Sequence, residues 1–205
     1  MTHTLHRRGT AESLSEDYIM IMKPSIGIND SGSIPKLQEF LRIALRHDPK
    51  NIGSIAKGSM YNYKVEEVIA GSRGNAHAVF DNPQAVTQVL RELKEADLGL
   101  SVVVSGIFES VNECCQKAGL KRHTVEFSLG IWGKTEKLPS DAILEVTTMC
   151  GHGLVSTNLV NSVVDEIKAG AKTPEDAAKE LTPHCACGIF NPVRAAKLLA
   201  TMAGE

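Results

Sequence analysis

The chain has 205 residues, 42% of them hydrophobic, and a formal net charge of −2. That length supports one full core, or one core with a small appended domain. No basic stretch exceeds Arg7-Arg8 and no apolar run approaches the length of a bilayer span, Val102 to Val104 being typical, which speaks against nucleic acid and membrane as partners.

Residues 1–16 open with the polar stretch MTHTLHRRGTAES. It lacks the apolar centre of a secretory signal, so a flexible tail and a cytoplasmic location are expected. His3 and His6 belong to that tail and read more simply as solvated side chains than as metal ligands. Asp17 to Lys23 (DYIMIMK) reads as a strand, followed by a loop rich in glycine and serine from Pro24 to Ser33. Pro35 then begins a helical pattern carried by Leu37, Phe40, Leu41, Ala44 and Leu45. Lys57-Gly58-Ser59 looks loop-like, and Tyr63 to Ala70 is a short helix stopped by Gly71.

Ala76 to Phe80 is the next strand, and Asn82-Pro83 supplies the cap and first residue of a helix. Leu98 to Ser105 reads as a buried strand, Ile107 to Ala118 as a helix, and His123 to Leu129 (HTVEFSL) as a further strand. Strands alternating with helices predict an α/β or ferredoxin-like α+β sandwich over residues 17–135, with strand order left open. Its glycine- and serine-rich loops match no phosphate-binding or dinucleotide fingerprint. His77, His123 and Glu126 fall on expected strands, where a solvent-facing position is the simpler reading than a catalytic base.

After Trp132 the character changes. Gly133 to Ser140 is polar and turn-rich, and residues 136–205 form a small all-helical domain in this reading. Val155, Leu159, Val160, Val163, Val164 and Ile167 make an apolar stripe between a Ser156 cap and Gly170. Thr173-Pro174-Glu175-Asp176 and Asn191-Pro192 start two more helices.

Five cysteines without an export signal argue against a disulfide framework. Cys114 and Cys115 share a helical side with Ile107, Phe108, Val111 and Ala118, where a free cysteine packs as a small hydrophobe. The other three stand in two glycine-rich loops ahead of helices: Cys150-Gly151-His152-Gly153 and His184-Cys185-Ala186-Cys187-Gly188. Each loop offers two soft ligands one residue apart. If the two helix starts meet, Cys150, His152, Cys185 and Cys187 surround one centre. The positive helix ends favour an anionic thiolate-bound group, and the glycines let backbone N–H groups reach sulfur.

From Cys150 to Leu199 the sequence resembles the bacterioferritin-associated ferredoxin-like domain, through Cys150, Gly153, Cys185 and the run Val193-Arg194-Ala195-Ala196-Lys197. The resemblance covers a quarter of the chain and implies a helical [2Fe–2S] module. Two positions depart from that family's pattern: His152 stands where its second cysteine falls, and the second pair is Cys-x-Cys rather than Cys-x-x-Cys. Cluster type, [2Fe–2S] or [4Fe–4S], and the fourth ligand, His152 or His184 or none, therefore stay open.

The expected function is an iron–sulfur protein in electron transfer or redox sensing, working with a redox partner protein. One alternative is an iron–sulfur enzyme, a dehydratase, lyase or oxidoreductase, whose three-cysteine cluster leaves an iron open to a small-molecule substrate. Another is a structural zinc site, although zinc sites usually space their cysteine pairs more widely. Self-association is left open.

Overall fold

The computed structural model describes residues 4–204. The strand Tyr18–Lys23 (β1) lies between two neighbours and is buried for all but its last residue, which explains its unbroken apolar sequence. Helix α1 (Ala11–Leu14) precedes it, and α2 (Ser33–Leu45) follows the loop. Next come a short hairpin of β2 (Asn51–Ser54) and β3 (Gly58–Ser59), then α3 (Val65–Gly71), β4 (Ala76–Phe80), α4 (Pro83–Ala96), β5 (Ser101–Ser105) and α5 (Phe108–Lys117). The sheet has the order β3-β2-β4-β1-β5 and every pairing in it is antiparallel. The fold is thus mixed, helices with one antiparallel sheet.

Strand side chains alternate faces, and both faces of this sheet are covered. Tyr18, Met20, Met22, Ala78 and Phe80 pack with α2 and α4 in one cluster. Ile19, Ile21 and Val79 point the other way and join a second cluster built from the C-terminal helices. Those helices are α6 (Asp141–Thr147), α7 (Thr157–Lys168), α8 (Pro174–Leu181) and α9 (Pro192–Ala203). Residues 141–203 therefore form a third layer on the sheet, sharing its core.

The expected caps are present. Asn82 accepts from the Ala85 N–H, Ser156 from Leu159, Thr173 from Asp176 and Asn191 from Arg194.

Several elements differ from the sequence reading. Residues 123–129 form no strand; they are exposed and irregular, so His123 and Glu126 lie in coil. Strand β5 is half-exposed rather than buried, because it is the sheet edge. Gly58–Ser59 pairs with β2 instead of standing in a loop, and α6 occupies a stretch where no helix was expected. Where a loose tail was anticipated, the N-terminal segment packs on the rest of the chain: Thr4 is buried against Ser105 at the end of β5, and Arg7 and Arg8 bond to Met149 and Thr148 of the C-terminal layer. His6 contacts Ser128 at 3.3 Å; His3 lies outside the described residues.

Candidate metal centre

The two cysteine loops meet on the side of the sheet covered by the C-terminal layer. The first leaves α6 and runs through Cys150 and His152 into α7. The second leaves α8 through a 3-10 turn, Thr182–His184, and runs through Cys185 and Cys187 into α9. Cys150, Cys185 and Cys187 are buried, whereas His152 and His184 are exposed.

The donors form a connected row. The Cys150 thiol hydrogen-bonds to Cys185, Cys185 Sγ lies 3.9 Å from Cys187 Sγ, and Cys187 Sγ lies 3.6 Å from His152 Nδ1. Among the described residues it is His152, not His184, that reaches a cysteine sulfur. Backbone N–H groups also point at sulfur: those of Leu154 and His152 at Cys150, and that of Ile189 at both Cys185 and Cys187.

This row polarises the thiols in one direction. The Cys150 pKa rises well above the ordinary thiol value, first because of its hydrogen bond to Cys185 and then through burial. Cys185 is pulled down by the bond from Cys150, but its own bond to Cys187 and burial outweigh that and leave it at about 11. Cys187, receiving the bond from Cys185, is lowered. Cys187 is therefore the first of the three to become a thiolate, the form that binds metal.

Among the described residues, no three His, Cys, Asp or Glu side chains already form a group able to hold a metal ion. The four donors make a hydrogen-bonded row rather than a closed ring, and enclosing a centre requires their side chains to turn toward one point. The donor chemistry suits that step. Three thiols and one imidazole, with N–H groups on each sulfur, are soft ligands of the kind that hold zinc or iron–sulfur groups.

The second loop is fixed to the sheet by close backbone contact. A Cβ on Gly53, in β2, would fall 2.6 Å from the Cys187 carbonyl oxygen. A Cβ on Gly188 would fall 2.7 Å from the Ile52 oxygen, and Gly188 has φ +78°. Only glycine at both positions allows two backbones to approach so closely. His77, on β4, places Nδ1 2.7 Å from the same Cys187 carbonyl. A carbonyl accepts only, so Nδ1 carries the proton. Asn51 Nδ2 donates to the Phe190 carbonyl at 3.0 Å.

A buried ionic network joins the N-terminal segment to both loops. Asp17, fully buried, accepts from Arg7 Nη1 at 2.5 Å and from Arg194 Nη1 at 3.1 Å. Arg7 Nη2 donates to the carbonyls of Met149 and Ile189, one beside each cysteine loop.

Cys150, His152, Cys185 and Cys187 thus come together, and Cys114 and Cys115 stand apart. Cys114 is buried beside α4, its Sγ 3.4 Å from the Pro83 oxygen, and Cys115 is half-buried in the same cluster on the opposite sheet face. Residues the sequence did not single out are Arg7, Asp17, Asn51 and Gly53; His77, expected to face solvent, is instead buried against the Cys187 carbonyl. The one available signal was Gly53 in a stretch without helical periodicity, a mark of close backbone approach. Comparison with known proteins finds no matching family model, no similar curated protein and no similar solved structure.

Proposed function

We propose that this protein binds an iron–sulfur cluster through Cys150, Cys185, Cys187 and His152 and acts in electron transfer or redox sensing. The observation that carries this is the convergence of three buried cysteines and one imidazole at two loop-to-helix junctions, every sulfur receiving backbone N–H groups. Hydrogen bonds to sulfur and partial burial are the protein's levers on cluster potential. On this reading residues 17–135 are a ferredoxin-like sandwich: β1, α2, β2, β4, α4 and β5 follow a β-α-β-β-α-β succession. The C-terminal layer is the cluster-holding unit, as the resemblance to the bacterioferritin-associated ferredoxin-like domain implies. Bound there, the cluster would accept and return single electrons. The chain holds the thiolates and shields them from water, with only His152 at the surface.

One specific observation favours a second reading, a single tetrahedral ion such as zinc. Bonds of about 2.3 Å to sulfur and about 2.05 Å to nitrogen give tetrahedral edges of about 3.8 Å between sulfurs and about 3.6 Å between sulfur and nitrogen. The spacings here are 3.9 Å for Cys185–Cys187 and 3.6 Å for Cys187–His152.

Anaerobic purification followed by iron, sulfide and zinc analysis separates the readings. The expected result is brown protein with iron and acid-labile sulfide in comparable amounts. Cys150→Ser, Cys185→Ser or Cys187→Ser should bleach it, and Cys114→Ala and Cys115→Ala should keep the colour. Colourless protein with one zinc per chain would establish the second reading.

A further inference from the structure

Much of the apolar pattern of residues 123–131 is left exposed within one copy of the chain. Val125, Phe127, Leu129 and Ile131 alternate with Thr124, Glu126, Ser128 and Gly130, a strand period. Yet this segment belongs to no strand, and those four are 42%, 64%, 85% and 44% exposed, with Trp132 at 84%. Only Phe127 has a ring partner, Phe108 at 5.4 Å.

The same side of the molecule carries the complementary deficiency. Among the described residues, strand β5 is a sheet edge whose one strand partner is β1, with Thr4 bonded to the Ser105 hydroxyl at its end. Its sequence, Ser-Val-Val-Val-Ser, contains none of the usual protections: no charge, no proline and no glycine bulge. Its two faces are covered, Val103 packing with the C-terminal layer and Val102 and Val104 with the α4 side. Among the described residues no strand pairs with the outer backbone donors and acceptors of β5, and a further strand satisfies them. The junction with α5 follows directly after Ser105, and Phe127 sits against the first residue of that helix.

We propose that two copies of this chain associate by strand exchange, segment 123–131 of each adding to the open β5 edge of the other. The arrangement is reciprocal, as a two-fold dimer requires. Aromatic side chains bury roughly 150–250 Å² each and aliphatic ones somewhat less, so the exposed parts of these five residues amount to roughly 600 Å² per copy. The pair reaches about 1,200 Å², the lower bound of a specific interface; the β5 edge adds to it. An apolar patch of this size is at the upper limit of what monomers leave in water.

Sedimentation velocity over a concentration series and hydrogen exchange test this on the full chain. The expected result is a dimer in which the amides of 123–131 and the outer amides of β5 are protected. The double variant Phe127→Asp/Leu129→Asp changes exposed side chains only, so it should stay folded by circular dichroism. Its dissociation constant should rise at least tenfold, with loss of protection confined to 123–131 and β5. A wild-type monomer at high micromolar concentration with 123–131 unprotected overturns the proposal. So does a dimer that the double variant leaves unchanged.

Discussion

The Nη2 of Arg7 lies 3.2 Å from the carbonyl oxygen of Met149, the residue immediately before Cys150. The same nitrogen donates to the Ile189 carbonyl, two residues past Cys187. One guanidinium thereby spans both cysteine loops, held by Asp17, which Arg194 also grips. Buried ion pairs contribute little net stability when intact, but deleting one partner exposes the full cost of the other charge.

Arg7→Met keeps the volume of the side chain and removes its charge and donors. Arg194 still neutralises Asp17, so the loss should be about 2–3 kcal/mol rather than the larger cost of an orphaned buried charge. The two loops lose their shared tether. Metal released to a chelator should leave faster than in wild type while far-UV circular dichroism is unchanged. Equal release rates would mean the loops are held by their sheet contacts alone.

The glycines provide a graded test of those contacts. Gly188→Ala forces a side chain into positive φ and brings Cβ within 2.7 Å of backbone, whereas Gly153, at φ +70°, has nothing within 4 Å. Gly153→Ala should therefore cost about 1 kcal/mol for conformation alone. Gly188→Ala and Gly53→Ala should cost at least twice that and weaken metal binding. Urea denaturation of the three variants ranks them.

The sequence was legible where local rules dominate. Asn82, Ser156, Thr173 and Asn191 announce helices because a cap acts within one turn, and the YIMIM run announces a central strand. The meeting of the two cysteine loops was legible because each stands in a glycine-rich turn ahead of a helix. Strand β2 was not, since Asn-Ile-Gly-Ser is held by neighbours on both sides rather than by propensity. Arg7 was hidden for a similar reason: it lies ten residues from Asp17 but about 140 and 180 from the carbonyls it binds. Residues 123–129 carry a strand pattern without a strand, because a pattern names a preference and pairing needs a partner edge.

Acid sensitivity should follow His77. Burial lowers its pKa from 6.5 to about 4, opposed in part by its hydrogen bond to the Cys187 carbonyl. Folded protein thus holds His77 neutral where the unfolded chain begins to protonate it. The stability present above pH 6.5 is lost as pH falls through that window toward 4, by about 3 kcal/mol at most. His77→Asn, which retains a donor and does not titrate, should be less stable at pH 7 and flatter between pH 6.5 and 4. Parallel stability curves for the two proteins would assign acid sensitivity to other groups.

The last test concerns His152, the exposed member of the row, 3.6 Å from Cys187 Sγ. A neutral imidazole in place of a thiolate removes one negative charge from the centre and its ligands, so reduction becomes easier. Histidine-ligated clusters lie hundreds of millivolts above all-cysteine plant-type ferredoxins for this reason. Imidazole bound through one nitrogen carries on the other a proton that it can release on oxidation, and that release couples potential to pH. His152→Cys should keep a cluster, lower its midpoint potential and abolish that pH dependence. His152→Ala should leave an iron that is labile or takes an added small ligand. If both variants match wild type in potential, pH dependence and spectrum, His152 is no ligand. The three cysteines would then leave one iron open, and the enzyme alternative would stand ahead of electron transfer. A change in potential with no change in pH dependence would instead mark His152 as a hydrogen-bond donor to Cys187, tuning the centre from outside it.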